Sequence, residues 1–185
     1  MTPIIRLGVA GTAIAGVLLV GSGTALAQTP SSGSIRVWGL AEVTGPTNKP
    51  SPVVVTGVIG DYGTTQSVNS SGVPDENGNY VKVTLRMGTF VVNITQLNQL
   101  FGSLQPTEFN SANCSAVFTA GPASVPIKSG SGTGSYKGIS GTLSMTVNMA
   151  AIAPKTKSGS CNMSNSASPV AGWGTVTGSG SVSFG

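Results

Sequence analysis

The clearest pattern in the chain is the alternation of apolar and polar residues from Gly138 to Ile152, GISGTLSMTVNMAAI. From residue 139 onward the odd positions are apolar or glycine, and the even positions carry mostly hydroxyl and amide groups. A period of two is typical of a β-strand with one buried face, whereas a helix would distribute these residues around its circumference. The pattern therefore predicts one long, half-buried strand, and its apolar face includes Leu143, Met145, Val147 and Met149.

Shorter segments with strand character precede and follow this one, separated by turns rich in glycine, proline and asparagine. They span residues 34–43, 53–59, 80–87, 114–119, 123–128 and 172–184. Segment 34–43 has apolar bulk on both faces, which predicts a strand covered on both sides, and Met87 is expected on an inward face. Gly121-Pro122 is expected to separate two strands. The segment Thr95 to Phe101 predicts one short helix, with Thr95 as a candidate cap and Gly102 as its end.

This order of elements predicts an all-β fold. The preferred architecture is an antiparallel β-barrel of about eight strands with one short helix, of the calycin type, and the alternative is a β-sandwich.

The N-terminal segment has the organisation of a signal peptide. Arg6 gives a small positive region, Leu7 to Val20 is a short apolar run, and Ala25-Leu26-Ala27 offers small residues to a signal peptidase. A retained membrane anchor is the alternative, but the run is shorter than the roughly 20 residues that a spanning helix needs. We therefore predict that residues 1–27 are cleaved and that residues 28–185 form a single domain with no stable membrane span. The mature protein is expected to be secreted or located in the cell envelope.

Cys114 and Cys161 are the two cysteines of the chain. Exported pairs usually oxidise, so we predict a disulfide, with two buried free thiols as the alternative.

The charge and the composition exclude several classes of function. Without Arg6, eight basic residues stand against five acidic ones, a net charge of +3, and they are dispersed along the chain. The sequence contains no cluster of Lys or Arg. It therefore does not predict binding to nucleic acid, which needs a coherent basic patch. The chain has no histidine, which excludes Ser-His-Asp and Cys-His catalysis and the common zinc sites. We predict no cofactor, no metal site and no covalent hydrolase chemistry.

The candidate functional residues are those expected to face a cavity inside the fold. Leu143, Met145, Val147 and Met149 are candidates because flexible thioethers and aliphatic groups can line a pocket for a small hydrophobic ligand. Ordinary core filling is the alternative. Glu42 lies in a strand pattern and Asp61 follows an apolar run, so either carboxylate is a candidate for the cavity. Tyr136 is a candidate for stacking on a ligand or for hydrogen bonding to it.

The segment Gly132-Thr133-Gly134-Ser135-Tyr136-Lys137-Gly138, followed by Ile139-Ser140-Gly141-Thr142, resembles a hairpin of the allene oxide cyclase and dirigent barrels. In those families a similar glycine-rich turn with an aromatic residue precedes the penultimate long strand, and a final strand closes the barrel. The chain as a whole resembles exported actinobacterial proteins with this layout. Gly60-Asp61-Tyr62-Gly63 also matches a tetrapeptide of the plant cyclases, but it lies far upstream of its expected place, so no catalytic residue is transferred.

Three functions remain open on this basis. The first is an exported, non-catalytic barrel that binds a small apolar ligand or serves in the cell envelope. The second is a cyclase or isomerase of the allene oxide cyclase or dirigent type, which the resemblance implies. The third and weakest is a membrane-spanning barrel, because aromatic girdles are needed and aromatic residues are scarce. The natural ligand, the protein partners and the oligomeric state are left open by the sequence.

Overall fold

A computed structural model describes residues 32–42, 49–164 and 167–185, except for the side chain of Glu42. The predicted signal peptide and its cleavage site after Ala27 lie outside the described residues. In the parts described, no helix is long and apolar enough to cross a membrane.

The described residues form nine antiparallel strands in one sheet, together with one short helix. The strands are β1 (Gly33–Glu42), β2 (Ser51–Gly57), β3 (Asp61–Val68), β4 (Tyr80–Leu85), β5 (Gly88–Asn93), β6 (Glu108–Asn110), β7 (Ser115–Pro126), β8 (Ile139–Ile152) and β9 (Ala171–Phe184), and the helix α1 is Thr95–Phe101. Their order across the sheet is β5-β4-β3-β2-β1-β9-β8-β7-β6. The all-β class is therefore confirmed, with nine strands instead of about eight. Since all nine share one sheet, the two separate sheets of a sandwich are not found in the described residues.

The long strand β8 has the faces that its alternation predicts. Leu143, Met145 and Val147 are buried. Ser144, between the first two, and Asn148, directly after Val147, are exposed. The strand pairs with β7 on one side and with β9 along its whole length on the other. These inward residues belong to hydrophobic clusters that draw members from nearly every strand of the sheet.

Glycines on β9 make room for the large side chains of β8. Gly178 lies opposite Met145, and Gly174 lies opposite Met149. A Cβ atom at Gly178 would come within 2.9 Å of the Met145 Cγ, and one at Gly174 within 3.0 Å of the Met149 Cγ. Because no Cβ occupies these positions, both methionine side chains can lie over the neighbouring strand on the inner face.

The two ends of the sheet approach each other at β5 and at the end of β7. Val92 of β5 forms an isolated antiparallel bridge with Ile127, which directly follows β7, and the Lys128 N–H donates to the Val91 carbonyl at 2.8 Å. Farther along β7, α1 covers the edge of the strand, and the Gln96 Oε1 accepts a hydrogen bond from the Ser124 N–H at 3.2 Å. In the described residues, β5 and the end of β7 are therefore joined by one bridge and not by a continuous ladder.

The predicted bounds of the helix are confirmed, but the predicted cap is wrong. It starts at Thr95 and is followed by Gly102, whose N–H bonds the Asn98 carbonyl. Thr95 does not cap the helix, because its hydroxyl and its N–H both donate to Asn93 Oδ1 at 2.7 and 2.9 Å. Leu97 is the buried residue of the helix.

Three further predictions are wrong in detail. The strand β1 is not covered on both sides, since its Trp38 and Leu40 side chains are about half exposed. Met87 is exposed in the turn between β4 and β5 instead of facing inward. The Gly121-Pro122 pair does not separate two strands, because β7 continues through it with a shift of register between Ala120 and Ala123.

The predicted disulfide between Cys114 and Cys161 is confirmed. The two sulfur atoms are 2.03 Å apart and the cysteines are 47 residues apart in sequence. The bond joins the start of β7 to the loop between β8 and β9, and it is consistent with an oxidising, extracellular location.

Candidate functional site

The inner face of the sheet and α1 border a cavity of about 290 Å³. Most of its lining is aliphatic or aromatic, contributed by six strands and by α1, and includes Val37, Val53, Val55, Val81, Val83, Phe90, Val92, Leu97, Phe101 and Val176. The volume lies at the lower limit of small-molecule sites, which usually range over roughly 300–1,000 Å³.

Four of the residues proposed from the sequence line this cavity together. Leu143, Met145, Val147 and Met149 form its wall on β8. Their spacing of two places all four on the inner face, and the glycines of β9 leave the space into which the methionines extend. The wall is therefore a consequence of local sequence on two neighbouring strands.

One side of the cavity is polar. The lining includes Ser51 of β2, Thr65 and Ser67 of β3, and Lys49 just before β2. Ser51 and Thr65 are direct partners in the β2–β3 ladder, and the Thr65 hydroxyl donates to the Ser51 carbonyl at 3.4 Å. These groups form a hydrophilic strip beside an apolar space, an arrangement that suits a ligand with an apolar body and a single polar group.

Asp61 and Tyr136, which were also expected at the cavity, do not line it. They lie together near the other ends of the strands, where the Tyr136 hydroxyl donates a hydrogen bond to the Asp61 Oδ2 at 2.5 Å. The Asp61 carboxylate also accepts the N–H groups of Met87 at 3.0 Å and Tyr62 at 2.8 Å. Each oxygen of this buried carboxylate is therefore bonded within the protein.

The two side chains shift each other's ionisation. Burial alone would raise the pKa of Asp61, but the hydrogen bonds from the Tyr136 hydroxyl and from backbone N–H groups outweigh burial and hold it below the ordinary value. Burial raises the pKa of Tyr136, and the adjacent Asp61 carboxylate raises it further. The pair is therefore an ionised carboxylate and a neutral phenol across the neutral pH range.

The glycine-rich turn before β8 is shaped to deliver Tyr136 to this position. A 3-10 turn, Gly134–Tyr136, packs against the turn between β4 and β5, and the Ser135 N–H donates to the Met87 carbonyl at 2.9 Å. Gly134 has a φ of 58°, and a Cβ atom there would lie 2.3 Å from the Met87 carbonyl oxygen. The Tyr136 ring then meets Phe90 edge-to-face, with centroids 5.8 Å apart.

Glu42 is the last residue of β1 and pairs with Trp173 of β9 in the ladder. Its side chain is outside the described part of the structure, so the prediction that it faces the cavity stays a prediction.

Sequence reasoning missed the cavity residues on β3 and α1. The inward positions Thr65 and Ser67 are polar, so hydrophobic periodicity gave no signal for them. Phe101 lines the cavity and also a second hollow of about 460 Å³ beyond the end of α1, and Met149 is likewise shared by both hollows. These two side chains therefore lie at the boundary of both spaces.

Comparison of the chain with protein-family models, with curated proteins and with solved structures finds no match. The candidate site is therefore described from its own geometry.

Proposed function

We propose that this protein is an exported β-barrel that binds a small, mainly apolar ligand in the cavity bordered by β8, without transforming it. The observation that carries the proposal is the cavity of about 290 Å³, with its apolar wall and its polar strip. Burial of apolar ligand surface against such a wall favours binding. The hydroxyl groups of the strip would hold the polar group of the ligand.

The barrel itself is part of the proposal. The bridge between Val92 and Ile127 and the hydrogen bond between Lys128 and Val91 support closure between β5 and β7, with α1 over the remaining gap. Closure would remove exposed sheet edges. The resemblance of the Gly132 to Gly138 turn to allene oxide cyclase and dirigent barrels supports the same architecture.

The position of Asp61 and Tyr136 favours binding over a cyclase or isomerase activity. Such an activity would need a group that polarises its substrate within the cavity, and the candidates predicted for that role are Glu42, Asp61 and Tyr136. The carboxylate of Asp61 instead bonds Tyr136 and two backbone N–H groups away from the lining. Export, with removal of residues 1–27, and a role outside the cell or in its envelope remain part of the proposal and are supported by the disulfide.

Binding of an apolar fluorescent probe, measured with matched tryptophan substitutions on β8, tests this function. Leu143→Trp should occupy the cavity and reduce probe affinity by at least about tenfold, an effect of roughly 1.4 kcal/mol. Ser144→Trp, one residue along on the exposed face, is the control and should leave affinity unchanged. Met149→Trp, nearer the second hollow, gives an independent blocking variant if Leu143→Trp lowers stability through overpacking.

Two further variants separate binding from catalysis. Glu42→Gln and Asp61→Asn should retain probe binding, because the proposal assigns neither carboxylate to ligand contact. A protein that fails to bind apolar probes, or that loses binding equally in Leu143→Trp and Ser144→Trp, would contradict the proposed site. A catalytic turnover that disappears in Glu42→Gln or Asp61→Asn would contradict the non-catalytic function.

A further inference from the structure

The outer face of the sheet carries a row of exposed apolar side chains across three strands. Trp38 of β1 pairs with Val54 of β2, and Val54 pairs with Tyr62 of β3. Their exposed fractions are 53%, 48% and 55%. Neighbouring strands are about 4.8 Å apart, so this row extends over roughly 10 Å of surface. Leu40, two residues after Trp38 on the same face, is 50% exposed and lengthens the row along β1.

Cationic side chains surround the row. Arg36 lies two residues before Trp38 on the same face of β1 and is exposed. The Arg86 guanidinium carbon lies 5.3 Å from the centre of the Tyr62 ring. Lys82 pairs with Gln66 in the β3–β4 ladder, on the side of β4 opposite the buried Val83.

The acidic side chains that the structure describes lie elsewhere. Asp61 is buried among its hydrogen-bond donors, Asp75 and Glu76 lie in the loop between β3 and β4, and Glu108 lies in β6. Among the side chains that the structure describes, the outer face of β1–β4 therefore combines exposed aromatic and aliphatic groups with positive charge; Glu42 ends β1, and its side chain is not described.

We propose that the outer face of β1–β4 binds the surface of an anionic lipid membrane. Trp and Tyr side chains favour the boundary between acyl chains and headgroups, because one part of each ring is apolar and the other forms hydrogen bonds. Arginine and lysine beside them are attracted to anionic headgroups. The positive charge of these described side chains complements such a surface.

The membrane-binding face meets the edge of the cavity at Leu40. Leu40 belongs to the exposed row and also lines the cavity, and the cavity lining includes Lys49. The inference does not require the cavity to be occupied, so membrane binding and ligand binding can be tested separately.

Co-sedimentation with vesicles tests the proposal. The protein is produced from the full-length sequence, its N-terminus is determined by mass spectrometry, and every variant is compared in the same form. The protein should partition more strongly onto vesicles of phosphatidylcholine with phosphatidylglycerol than onto phosphatidylcholine alone, and high salt should weaken the binding. Arg36→Ser and Arg86→Ser should each reduce partitioning about fivefold, since one basic residue near an anionic surface contributes about that factor.

Matched variants distinguish this face from non-specific adhesion. Trp38→Ser should reduce partitioning about tenfold or more, because it removes the largest apolar group of the row. Phe109→Ser in β6 and Lys137→Ser before β8 are controls, since both residues are exposed and lie outside this face. They should bind vesicles like the unmodified protein.

Trp38 provides a local signal once Trp173, the other tryptophan of the chain, is replaced. In Trp173→Phe the fluorescence comes from Trp38 and should shift to shorter wavelength when anionic vesicles are added. Trp173 is replaced because it is also exposed and lies on β9, the strand beside β1. No partitioning onto anionic vesicles, equal losses in Trp38→Ser and Phe109→Ser, or an unchanged Trp38 emission in Trp173→Phe on vesicle binding would overturn the proposal. Retention on insoluble cell-wall polysaccharide without vesicle binding would also overturn it and would assign the face to a glycan.

Discussion

The Tyr136 hydroxyl donates a 2.5 Å hydrogen bond to the Asp61 carboxylate, although the two residues are 75 positions apart in sequence. Asp61 begins β3, and Tyr136 ends the 3-10 turn before β8. Because the same carboxylate accepts the Met87 N–H from the turn between β4 and β5, it joins three separate connections. This geometry assigns the pair a stabilising role, distinct from the cavity wall on β8.

Asp61→Asn should lower the free energy of unfolding by about 2 kcal/mol at neutral pH. The amide would lose the charge-assisted hydrogen bonds and would place an NH₂ group near donors that need an acceptor. Asp75→Asn is the matched control: Asp75 accepts the Asn77 N–H in a turn, and an asparagine oxygen can do the same, so its change should be small. Urea unfolding measures both, and equal losses in the two variants would contradict a special role for Asp61.

The contribution of Asp61 to stability should depend on pH in a defined direction. Because the pKa of Asp61 is held below its ordinary value of 3.8, its contribution is present above that pH and is lost as the pH falls through the lower, folded-state pKa. The stability difference between the unmodified protein and Asp61→Asn should therefore be constant near neutrality and decrease below about pH 4. Urea unfolding across the acid range checks this, and a difference that grows on acidification would contradict the assignment.

The sequence predicts those parts of the fold in which local hydrophobicity reports burial. In β8, Leu143 and Met145 alternate with exposed polar residues, so the strand, its faces and the cavity wall could be predicted. The strand β3 gave no such signal, because Thr65 and Ser67 face the cavity with polar groups. In β1 the same logic misplaced Trp38, which is apolar and yet exposed.

The long-range arrangement could not be predicted from local pattern. Asp61 and Tyr136 were each recognised as candidates, but the bond between them depends on how the turn at Gly134 packs against the carbonyl of Met87. A contact of this kind depends on tertiary packing, which the spacing of residues along one strand does not reveal.

The two faces of β8 should respond very differently to a charge. Met145→Asp places a carboxylate at a site that is 7% exposed, and it should lower the free energy of unfolding by about 3 kcal/mol or raise the pKa of the new carboxyl group. Ser144→Asp is the control on the exposed face and should change stability by less than about 0.5 kcal/mol. Similar losses in both variants would mean that both faces of the strand are buried.

The disulfide should contribute substantially to stability. Cys114 and Cys161 are 47 residues apart, and closing a loop of this length restricts the unfolded chain by about 4 kcal/mol in the chain-entropy model. The double variant Cys114→Ala/Cys161→Ala should lose a stability of that order, and the reduced protein should behave similarly. Intact mass of the unmodified protein should be two hydrogens below that of its reduced form, and two titratable thiols under denaturing, non-reducing conditions would contradict the bond.

Methyl NMR of the methionines tests the ligand cavity most directly. Met145 and Met149 line the cavity, whereas Met87 is exposed in the turn between β4 and β5 and Met163 lies in the loop after β8. With ¹³C-methyl methionine assigned by single Met→Leu variants, titration with a small apolar probe should shift the resonances of Met145 and Met149 and leave that of Met87 unchanged. Unshifted Met145 and Met149 resonances under conditions where the probe binds, or equal shifts at Met87, would contradict a ligand site inside the sheet.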